Sequence, residues 1–488
     1  MNKASGSKEG AVLALVSTGV MMAAIDTTIV ILAIPTMMKA LNADLVSSVW
    51  TILAYLLVIS TFTTPLGSLG DAYGRARIYN VGFAVFTVAS LLCALSPNIY
   101  YLIAFRFLQG LGGAMLQANS SAIITETVDK SRLGRAFSVN AIGWNVGATL
   151  GIVLGGVLTT FFPWQSIFLI NVPIGVVATV LGFRVLKSSK SGKARFDVVG
   201  SSLLLLSMAA ISYATIDIAG IGLNALDAGL LVFGLSLLAV LFLVVEPKVQ
   251  RPIIDVKALR HRQFGVPLLI ALFQSVGYLS TIFLVIMYLQ GVLGLDPLTA
   301  SLVLVPGYVI ASGMAVFSGR LIDRLGYKSG MILGLTLMIV SVTLYSQLST
   351  STPVHYVVFA SVLGGLGASL YFPSNNKAVM VNAPKEYLGS AGGFQRTLTN
   401  LGTIISYTTS ILISSLSIPR EYAFEIFVGT TTLSGPLALE FLRGLKAAFL
   451  FSGVILLVAT VLAFLTESTD LGGRDKEAEV SRGELNTG

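Results

Sequence analysis

The feature that most constrains this chain is an internal repeat. The sequence GSLGDAYGRAR at residues 67–77 returns as GRLIDRLGYK at residues 319–328, each copy directly after an apolar stretch. A second match places Gly110 on Gly365, a shift of 255 residues. The same shift pairs two further segments, Leu133-Gly134 with Leu388-Gly389 and Asn145-Val146-Gly147 with Asn400-Leu401-Gly402. Such a duplication in an apolar chain indicates two related halves that move about a shared central site.

Composition indicates that the chain resides in a lipid bilayer. Hydrophobic residues make up 55% of its 488 residues, charged residues make up 11%, and the mean hydropathy is +0.85. Because ~20 apolar residues cross ~30 Å of hydrocarbon, we predict about fourteen spans, at residues 11–35, 47–66, 78–96, 100–124, 137–161, 166–186, 198–219, 227–246, 265–290, 298–318, 330–348, 355–379, 390–416 and 444–466. The first span resembles a signal peptide but is too long and lacks a small-residue cleavage site, so we expect a retained helix.

The repeat also predicts how the spans are grouped. If the fourth span matches the twelfth, the shift covers eight spans, which leaves two spans outside a pair of six-helix bundles. We therefore expect an N-terminal bundle over residues 1–196, two inserted helices over 197–246 and a C-terminal bundle over 247–466. Residues 467–488 mix both charges with Gly and Ser, and we expect a disordered cytoplasmic tail there.

Basic residues predict the orientation of the helices in the membrane. Loops after even-numbered spans hold most of them, whereas the opposite loops hold little beyond Lys39 and Arg420. Basic loops stay in the cytoplasm, so we predict a multi-pass plasma-membrane protein with both termini cytoplasmic. The net charge of +8 follows from this topology and gives no reason to expect a nucleic-acid partner. The basic loop residues are Arg75, Arg77, Lys130, Arg132, Arg135, Lys187, Lys190, Lys193, Arg195, Lys248, Arg251, Lys257, Arg260, Arg262, Arg320, Arg324 and Lys328.

Several motifs carry a resemblance to a known family. The first half contains DTTIVILAIP from Asp26, GSLGDAYGRAR, RFLQGLGG from Arg106, LGIVLGG from Leu150 and WQSIFLINVPIG from Trp164. The second half contains YLQGVLG from Tyr288, and Pro306. These motifs resemble the major facilitator superfamily, and the number of spans resembles its fourteen-helix drug:proton antiporter branch. The resemblance implies an all-α membrane protein of two six-helix bundles plus two extra helices.

Three positions depart from the residues usual in that family. Members usually have Asn at the position of Ile31, a basic residue at Ala72 and Pro at Ile152, and the last belongs to a motif associated with antiport. Some multidrug members also have acids in helices 10 and 13, whereas the corresponding spans here have none. Export of dications is therefore not expected.

Two charged residues lie well inside predicted spans of the first half. An ionised Asp26 near the middle of the first span costs ~2.5 to 3.5 kcal/mol on insertion scales, so it must face a polar interior or take up a proton. It is either a proton carrier or a structural acid that pairs within the bundle. Arg106 lies about two turns into the fourth span and needs a partner, unless it snorkels to the interface. In the resembled family this arginine belongs to the proton-relay motif.

The repeated loop motif predicts a charged gate at the cytoplasmic side. Gly67 and Gly74 allow close backbone approach, and Asp71 supplies an acceptor for the positive N-terminus of a helix in the other half. Arg75 and Arg77 supply donors that Glu126 or Asp129 can accept. The equivalent places in the second copy are Gly319, Asp323, Gly326 and Lys328. The alternative for the arginines is a basic loop that only sets topology.

Two further patterns concern helix packing and substrate contact. Gly143, Gly147, Gly151 and Gly155 recur every four residues in the fifth span and predict close packing against a partner helix. In the resembled family this stripe lies where the halves meet, which implies a sliding contact. Polar and aromatic residues at helical spacing suit a neutral or weakly basic amphipathic solute, although helix packing explains them equally well. The substrate-binding candidates are Gln117, Gln274, Tyr278, Tyr288, Tyr371 and Asn375. Arg396 either snorkels to the cytoplasm or reaches the cavity.

The sequence predicts no enzyme, metal site or cofactor, and the proton is the expected coupling ion. Cys/His metal spacing, a phosphate loop and a nucleophile triad are absent, and Cys93 lies in an apolar run that predicts a structural thiol. We predict a proton-coupled secondary transporter that exports amphipathic small molecules by alternating access. The alternatives are a facilitator or proton symporter of a small metabolite, and a membrane sensor that keeps the fold without turnover. Its expected partners are the lipid bilayer and a small-molecule substrate, with no obligatory protein partner.

Overall fold

The computed structural model describes residues 3–43, 45–186, 197–221, 224–249, 256–414 and 435–466, and within these ranges every regular element is helical. The first half comprises α1 (Lys3–Leu41), α2 (Leu45–Tyr73), α3 (Arg75–Ala94), α4 (Ile99–Thr127), α5 (Leu133–Phe161), α6 (Ser166–Leu169) and α7 (Asn171–Val185). Two helices follow, α8 (Val198–Ile221) and α9 (Ala225–Val240). The second half comprises α10 (Val256–Arg260), α11 (Arg262–Tyr278), α12 (Thr281–Gly291), α13 (Pro297–Leu325), α14 (Tyr327–Ser346), α15 (Val354–Asn382), α16 (Leu388–Ser414) and α17 (Pro436–Phe464).

The described helices account for about fourteen membrane crossings. Twelve segments within the described ranges are long and apolar enough to cross a bilayer, and α13 adds a thirteenth that is bent by 50°. The 27 residues of α16 extend for roughly 40 Å at ~1.5 Å per residue, which exceeds the hydrocarbon thickness. Its polar residues lower the hydropathy of this helix below that of the other spans. Many of these polar residues pack inside the protein and do not face lipid. The predicted tail at 467–488 and the basic residues Lys187, Lys190, Lys193, Arg195, Arg251 and Arg420 lie outside the described residues.

Two predicted spans consist of two helices each. The sixth contains α6 and α7, and the ninth contains α11 and α12, which are separated at Leu279 and Ser280. Serines of α16 satisfy the polar groups at this second break. Ser406 accepts a hydrogen bond from the backbone N–H of Ser280 at 3.2 Å, and Ser410 donates to the Ser280 hydroxyl at 2.7 Å. Irregular backbone at membrane depth is tolerated where protein groups supply the missing partners, as they do here.

The two halves contact each other along two seams. In one seam α2 packs on α16, and in the other α5 packs on α13. The Thr64 hydroxyl donates to the Thr397 hydroxyl at 2.7 Å across the first seam. In a bilayer the hydrophobic effect does not drive helices together, because lipid tails are as apolar as the helix surfaces. Small residues allow the helices to approach closely and pack by van der Waals contact instead. Further contacts between α4 and α16 and between α5 and α15 also join the halves.

The pair α8 and α9 lies beside the seam between α2 and α16. The hydroxyls of Ser212 and Ser60 are 3.1 Å apart and join α8 to α2, while Thr408 of α16 donates to the carbonyl of Thr215 at 2.7 Å. The turn between the pair ends in a capping box, in which Asn224 and Asp227 satisfy each other's backbone N–H groups. Thus α8 contacts both halves at once.

The outer surface of the helices is apolar. On α7, Val177 and Phe183 are exposed, and on α9, Val232, Phe233 and Leu235 are exposed. Such a continuous apolar surface faces lipid in a membrane protein, whereas in water it would cause association.

Candidate functional site

A buried ion pair joins α1 to α4. Arg106 donates from an Nη to Asp26 Oδ2 at 2.6 Å, and the side chains are 1% and 0% exposed. Arg106 also donates from Nε to the backbone carbonyl of Thr51 on α2, at 2.7 Å. The structure thus brings together the two charged residues that the sequence places in separate spans. Neither side chain snorkels to the membrane surface.

Neutral groups complete the surroundings of the pair. Gln109 donates to Asp26 Oδ1 at 2.8 Å and accepts from Arg106 at 2.6 Å, and its amide also donates to the Ser90 hydroxyl at 2.9 Å. The Arg106 guanidinium carbon lies 4.4 Å from the centre of the Tyr55 ring, a cation–π distance. The Cys93 thiol is buried and lies 3.8 Å from Gln109 Oε1, which agrees with a structural role.

Local helix geometry positions this cluster. Asn98 caps the N-terminus of α4 by accepting from the backbone N–H groups of Tyr100 and Tyr101, so the helix begins at a fixed point. Arg106 and Gln109 follow three residues apart, which puts them on one face of α4. Asp26 lies more than halfway along α1, which crosses the bundle beside that face.

The arrangement can hold Asp26 in either protonation state. When Asp26 is ionised, Arg106 and Gln109 both donate to it. When Asp26 takes up a proton, Arg106 keeps the Thr51 carbonyl, the Gln109 oxygen and the Tyr55 ring as neutral partners. A buried arginine without any partner would strongly destabilise the fold. These neutral partners therefore make a change of charge at Asp26 tolerable.

The first loop motif forms a contact between the halves, which we name the first latch. Both carboxylate oxygens of Asp71 accept from the start of α16: from the backbone N–H of Gly389 at 2.8 Å and from the N–H and hydroxyl of Ser390 at 2.7 and 2.8 Å. Arg75 binds Asp71 at 2.7 Å, pairs with Glu126 and donates to the Lys385 carbonyl at 3.1 Å. A carboxylate at a helix N-terminus is favoured by the exposed N–H groups and by the helix dipole.

The second loop motif repeats this contact with the halves exchanged, and we name it the second latch. Asp323 of α13 accepts from the backbone N–H groups of Gly134 and Arg135, at 2.9 and 3.3 Å, where α5 begins. Lys377 donates to Asp323 at 2.7 Å, and both side chains are nearly buried. The pairs Asp71 with Gly389 and Asp323 with Gly134 therefore relate the halves reciprocally, and both latches are closed.

The motif glycines serve two different purposes. Gly74 and Gly326 have φ angles of 105° and 82°, so each makes a one-residue turn that side chains disfavour. Gly67 and Gly319 lie inside α2 and α13, where a Cβ on Gly67 would collide with the Gly389 carbonyl and one on Gly319 would meet Arg135 at 2.8 Å. The first pair shapes the turn, and the second pair lets the opposite half approach.

Other motif residues lie outside the latches. Arg77 is exposed at the start of α3. Lys328 donates to the carbonyl of Phe464 at 2.9 Å, at the C-terminal end of α17. Asp129 pairs with Arg132 at 3.0 Å rather than with either motif arginine. The structure therefore brings Asp71, Arg75 and Glu126 together but leaves Arg77 and Lys328 apart from the contacts between halves.

Three helices of the second half enclose a small polar cavity. Its volume is about 10 Å³, which is room for roughly one water molecule. Three substrate-binding candidates from the sequence meet here: Gln274 of α11 with Tyr371 and Asn375 of α15. The cavity is also lined by Ala271, Phe372, Asn376, Gln395, Arg396 and Thr399. The sequence left two alternatives for Arg396, snorkelling to the cytoplasm or reaching the cavity, and the structure shows the second.

The remaining candidates lie elsewhere. Tyr288 is buried and donates to the Ser349 carbonyl at 2.8 Å, beyond the break between α11 and α12. Tyr278 packs with its hydroxyl near Gly364 of α15, and Gln117 is half-buried on α4. The break explains why Gln274 and Tyr288 do not share a face, although their spacing fits one continuous helix.

The glycine stripe of α5 packs within the first half. A Cβ at Gly143 would lie 2.8 Å from the Ser17 carbonyl, and Gly147 and Gly151 approach the α1 residues Met21 and Ile25 as closely. Gly155 is buried in the same helix. The predicted close packing is therefore present at the first three positions, but its partner there is α1 and not a helix of the other half.

Sequence reasoning missed several residues of these sites. Gln109 follows Arg106 at helical spacing, and its amide inside an apolar span was a usable signal. Lys377 was also detectable, because it is the only basic residue between 356 and 384. Gln395 and Thr399 lie beside Arg396 on α16, and they gave no signal that distinguishes them from other polar residues of that helix.

Comparison with known proteins agrees with this architecture. The family model described as Major Facilitator Superfamily matches residues 16–407. The Riboflavin transporter RibZ of Clostridioides difficile (strain 630) is 28% identical over 84% of this chain and 90% of its own. The Tetracenomycin C resistance and export protein of Streptomyces glaucescens is 28% identical over 95% and 93%.

A solved structure shows the same fold. The human organic anion transporter MFSD10 (TETRAN) superposes with a TM-score of 0.63 at 15% identity, covering 93% of this chain and 99% of that one. This confirms the predicted all-α architecture of two helical bundles with additional helices. The family consists of transporters that are embedded in membranes and are not enzymes. The chain belongs to the Major Facilitator Superfamily.

Proposed function

We propose that this transporter exports amphipathic small molecules in exchange for protons, as a member of the fourteen-helix drug:proton antiporter branch. The observation that carries the proposal is the buried pair of Asp26 and Arg106 with its neutral partners. A carboxylate held this way can gain and lose a proton while Arg106 keeps neutral hydrogen-bond partners in both states. It therefore provides a proton-binding group in the interior of the bundle, and Arg106 sets how readily that group ionises.

The latches supply the conformational part of the proposal. We propose that the latch end faces the cytoplasm, with both termini on that side, and that the protein resides in the plasma membrane. The predicted bundles, residues 1–196 and 247–466, then rock about the central site, with 197–246 as the inserted pair and 467–488 as a cytoplasmic tail. Closed latches correspond to a state that is shut toward the cytoplasm. Export requires them to open for substrate entry and to close again afterwards.

The name of one relative supports the direction, since it describes a resistance and export protein. Another relative is named as a riboflavin transporter, and that name states no direction. Both names refer to organic molecules. A polar cavity lined by Tyr371 and by amides suits a molecule of that general type.

The test is transport by the purified full chain in proteoliposomes with an imposed pH difference. Fluorescein, rhodamine 123 and radiolabelled glucose serve as anionic, cationic and neutral probes, with protein-free liposomes as the baseline. We expect the wild-type protein to accumulate at least one dye against its gradient. Asp26→Asn should abolish that accumulation, because the amide retains the shape but cannot carry a proton. Asp296→Asn, in a loop of the second half, is the matched control and should transport normally.

The outcomes separate the proposal from its alternatives. Accumulation by Asp26→Asn with a pH difference alone would remove Asp26 from the coupling step. If the wild-type protein only equalises the probe concentration on the two sides, it is a facilitator. If the probe moves in the same direction as protons, the protein is a symporter. Specific binding of a probe without any flux would favour a sensor.

A further inference from the structure

The second half contains a half-buried arginine, Arg396, that has no ion-pair partner among the described residues. Arg396 lies eight residues into α16, roughly 12 Å from its start at ~1.5 Å per residue. Within the described part of the chain it forms no hydrogen bond or ion pair with another residue, and its Nε is buried without a partner. A permanent charge at membrane depth is costly, so an unpaired one is a functional hypothesis by default.

Other groups around this cavity are also left with unused hydrogen-bonding capacity. Among the described residues, the Tyr371 hydroxyl, Gln274 Oε1 and Gln395 Oε1 are buried without partners. The Gln274 amide nitrogen contacts only the Met338 sulfur, at 3.7 Å, so a half-turn of this amide would direct its NH₂ group inward. By contrast, Asn375 is fixed, since it donates to the Pro267 carbonyl at 2.9 Å and accepts from Gln395 at 2.7 Å.

Buried polar groups without partners require an explanation, because each costs about 1 to 3 kcal/mol. Three of these groups are hydrogen-bond donors on three helices that line one cavity: the Arg396 Nε, the Tyr371 hydroxyl and the Gln274 amide after its half-turn. A ligand with acceptor atoms that binds between these helices satisfies all three. The fixed Asn375 holds Gln395 in position next to Arg396.

The charge of the interior favours a negative ligand. Asp26 is already compensated by Arg106, so the pair adds no net charge to the centre of the molecule. Among the described residues of α10 to α17, the acids are Asp296, Asp323, Glu386 and Glu440, and none of them lines the cavity. Arg396 is therefore the only charged residue among those that line it.

We propose that Arg396, with the Tyr371 hydroxyl and the Gln274 amide after its half-turn, forms the subsite for an anionic group of the transported molecule. A carboxylate, sulfonate or phosphate would accept from the planar guanidinium. The closed cavity has room for only about one water molecule, so the substrate occupies space that opens when the halves move. This inference rests on the proposed function and specifies its substrate class as amphipathic anions.

The test is dye binding to the purified full chain in lipid nanodiscs, measured by equilibrium dialysis against empty nanodiscs. Fluorescein and rhodamine 123 share a xanthene frame and differ in charge, so they separate charge from shape. In wild type, fluorescein should bind more tightly than rhodamine 123. Arg396→Gln should weaken fluorescein binding by ~10- to 100-fold, the effect of losing a charge-assisted hydrogen bond. Arg443→Gln, an exposed arginine on α17, is the matched control and should bind like wild type.

A second variant tests the inference if Arg396→Gln does not fold. Thr399→Asp retains Arg396 and places a carboxylate three residues further along the same helix face. It should weaken fluorescein binding and leave rhodamine 123 binding unchanged or stronger. Arg396→Lys should restore only part of the affinity, because a point charge replaces the planar fork.

Three results would overturn the inference. They are unchanged fluorescein binding in both Arg396→Gln and Thr399→Asp, equal loss of both dyes in Arg396→Gln, and preference of wild type for rhodamine 123. Binding at equilibrium needs no pH difference, so these results do not depend on proton coupling. Fluorescein binding that depends on Arg396, together with dye accumulation that does not depend on the pH difference, would contradict the proposed exchange with protons. It would still support the anion subsite.

Discussion

The two halves of this transporter match at the latch end and differ in their interiors. At the latch end, an aspartate of each half binds the first backbone N–H groups of a helix in the other half. In the interior, Arg106 of the first half is buried and Arg396 of the second half is half-buried. Arg106 is surrounded by a carboxylate, an amide and a carbonyl, whereas Arg396 has no such partners among the described residues.

This difference indicates that the duplicated motif is retained for gating and not for binding. A gate between two rocking bodies needs matched contacts on both sides, so the repeated motif keeps the same geometry in both copies. Proton binding and substrate binding need different charges. One arginine is therefore compensated within the protein, and the other is left for the ligand that we propose.

The largest effect is expected at the latches. There, substitution of Asp323 should shift the protein toward the open state more than substitution of Asp71. Asp323→Asn removes the negative charge beside Lys377, whose side chain is 5% exposed, and a buried lysine without a compensating charge favours the open, hydrated state. Asp71→Asn leaves Arg75 with Glu126 and the Lys385 carbonyl. We expect a shift toward the open state of about 10- to 100-fold for Asp323→Asn and about fivefold for Asp71→Asn, within the usual range of coupling energies.

The measurement is the rate at which a maleimide labels Thr397→Cys in a Cys93→Ser background. Thr397 is buried at the seam between α2 and α16, so its labelling reports separation of the halves. Lys377→Met added to Asp323→Asn should reverse most of the increase. Equal rates in both aspartate variants and the parent would reduce the loop motifs to topology signals.

A smaller effect is expected from giving Arg396 a carboxylate neighbour like the one that Arg106 has. Gln274→Glu places a nearly isosteric carboxylate at the cavity that Arg396 lines. Fluorescein binding should weaken by about tenfold, since the new acid competes for the guanidinium. Rhodamine 123 should then be bound in preference to fluorescein. Gln347→Glu, an exposed position after α14, is the control, and a similar change there would remove the cavity from the explanation.

The smallest effects are expected at the two motif residues that lie outside the latches. Arg77→Gln changes an exposed side chain and should shift the labelling rate by less than about twofold, as surface substitutions usually do. Lys328→Gln should leave that rate equally unchanged but lower thermal stability slightly, because Lys328 caps α17. A change in labelling as large as that of Asp71→Asn would place either residue in the gate.

Much of this organisation was accessible from the sequence. The spacing of the loop motif predicted that Asp71 meets a helix N-terminus of the other half, and Gly389 and Ser390 supply it. Charge burial singled out Asp26 and Arg106, and the structure brings them together. These predictions succeeded because a charge or a helix end in a membrane has few possible partners. The proton-coupling and gating roles of these residues stay predictions.

Other features could not be read from one-dimensional spacing. Gln274 and Tyr288 fit a single helical face, but the break at Ser280 separates them, and the serines that support this break come from α16. The partner of the glycine stripe also depends on which helix lies beside α5, and here it is α1. Both outcomes depend on contacts between distant segments, which helical periodicity does not encode.

The position of α8 has a consequence for how molecules reach the protein from the membrane itself. Through Ser212 and Thr215, this helix covers the boundary between α2 and α16 on its lipid side. Among the described residues, no helix covers the boundary between α5 and α13 in this way, and Val153 and Phe317 are exposed along those helices. A lipophilic compound that is dissolved in one leaflet therefore encounters two unequal sides. It contacts α5 and α13 directly at one boundary, whereas α8 lies between the lipid and the other.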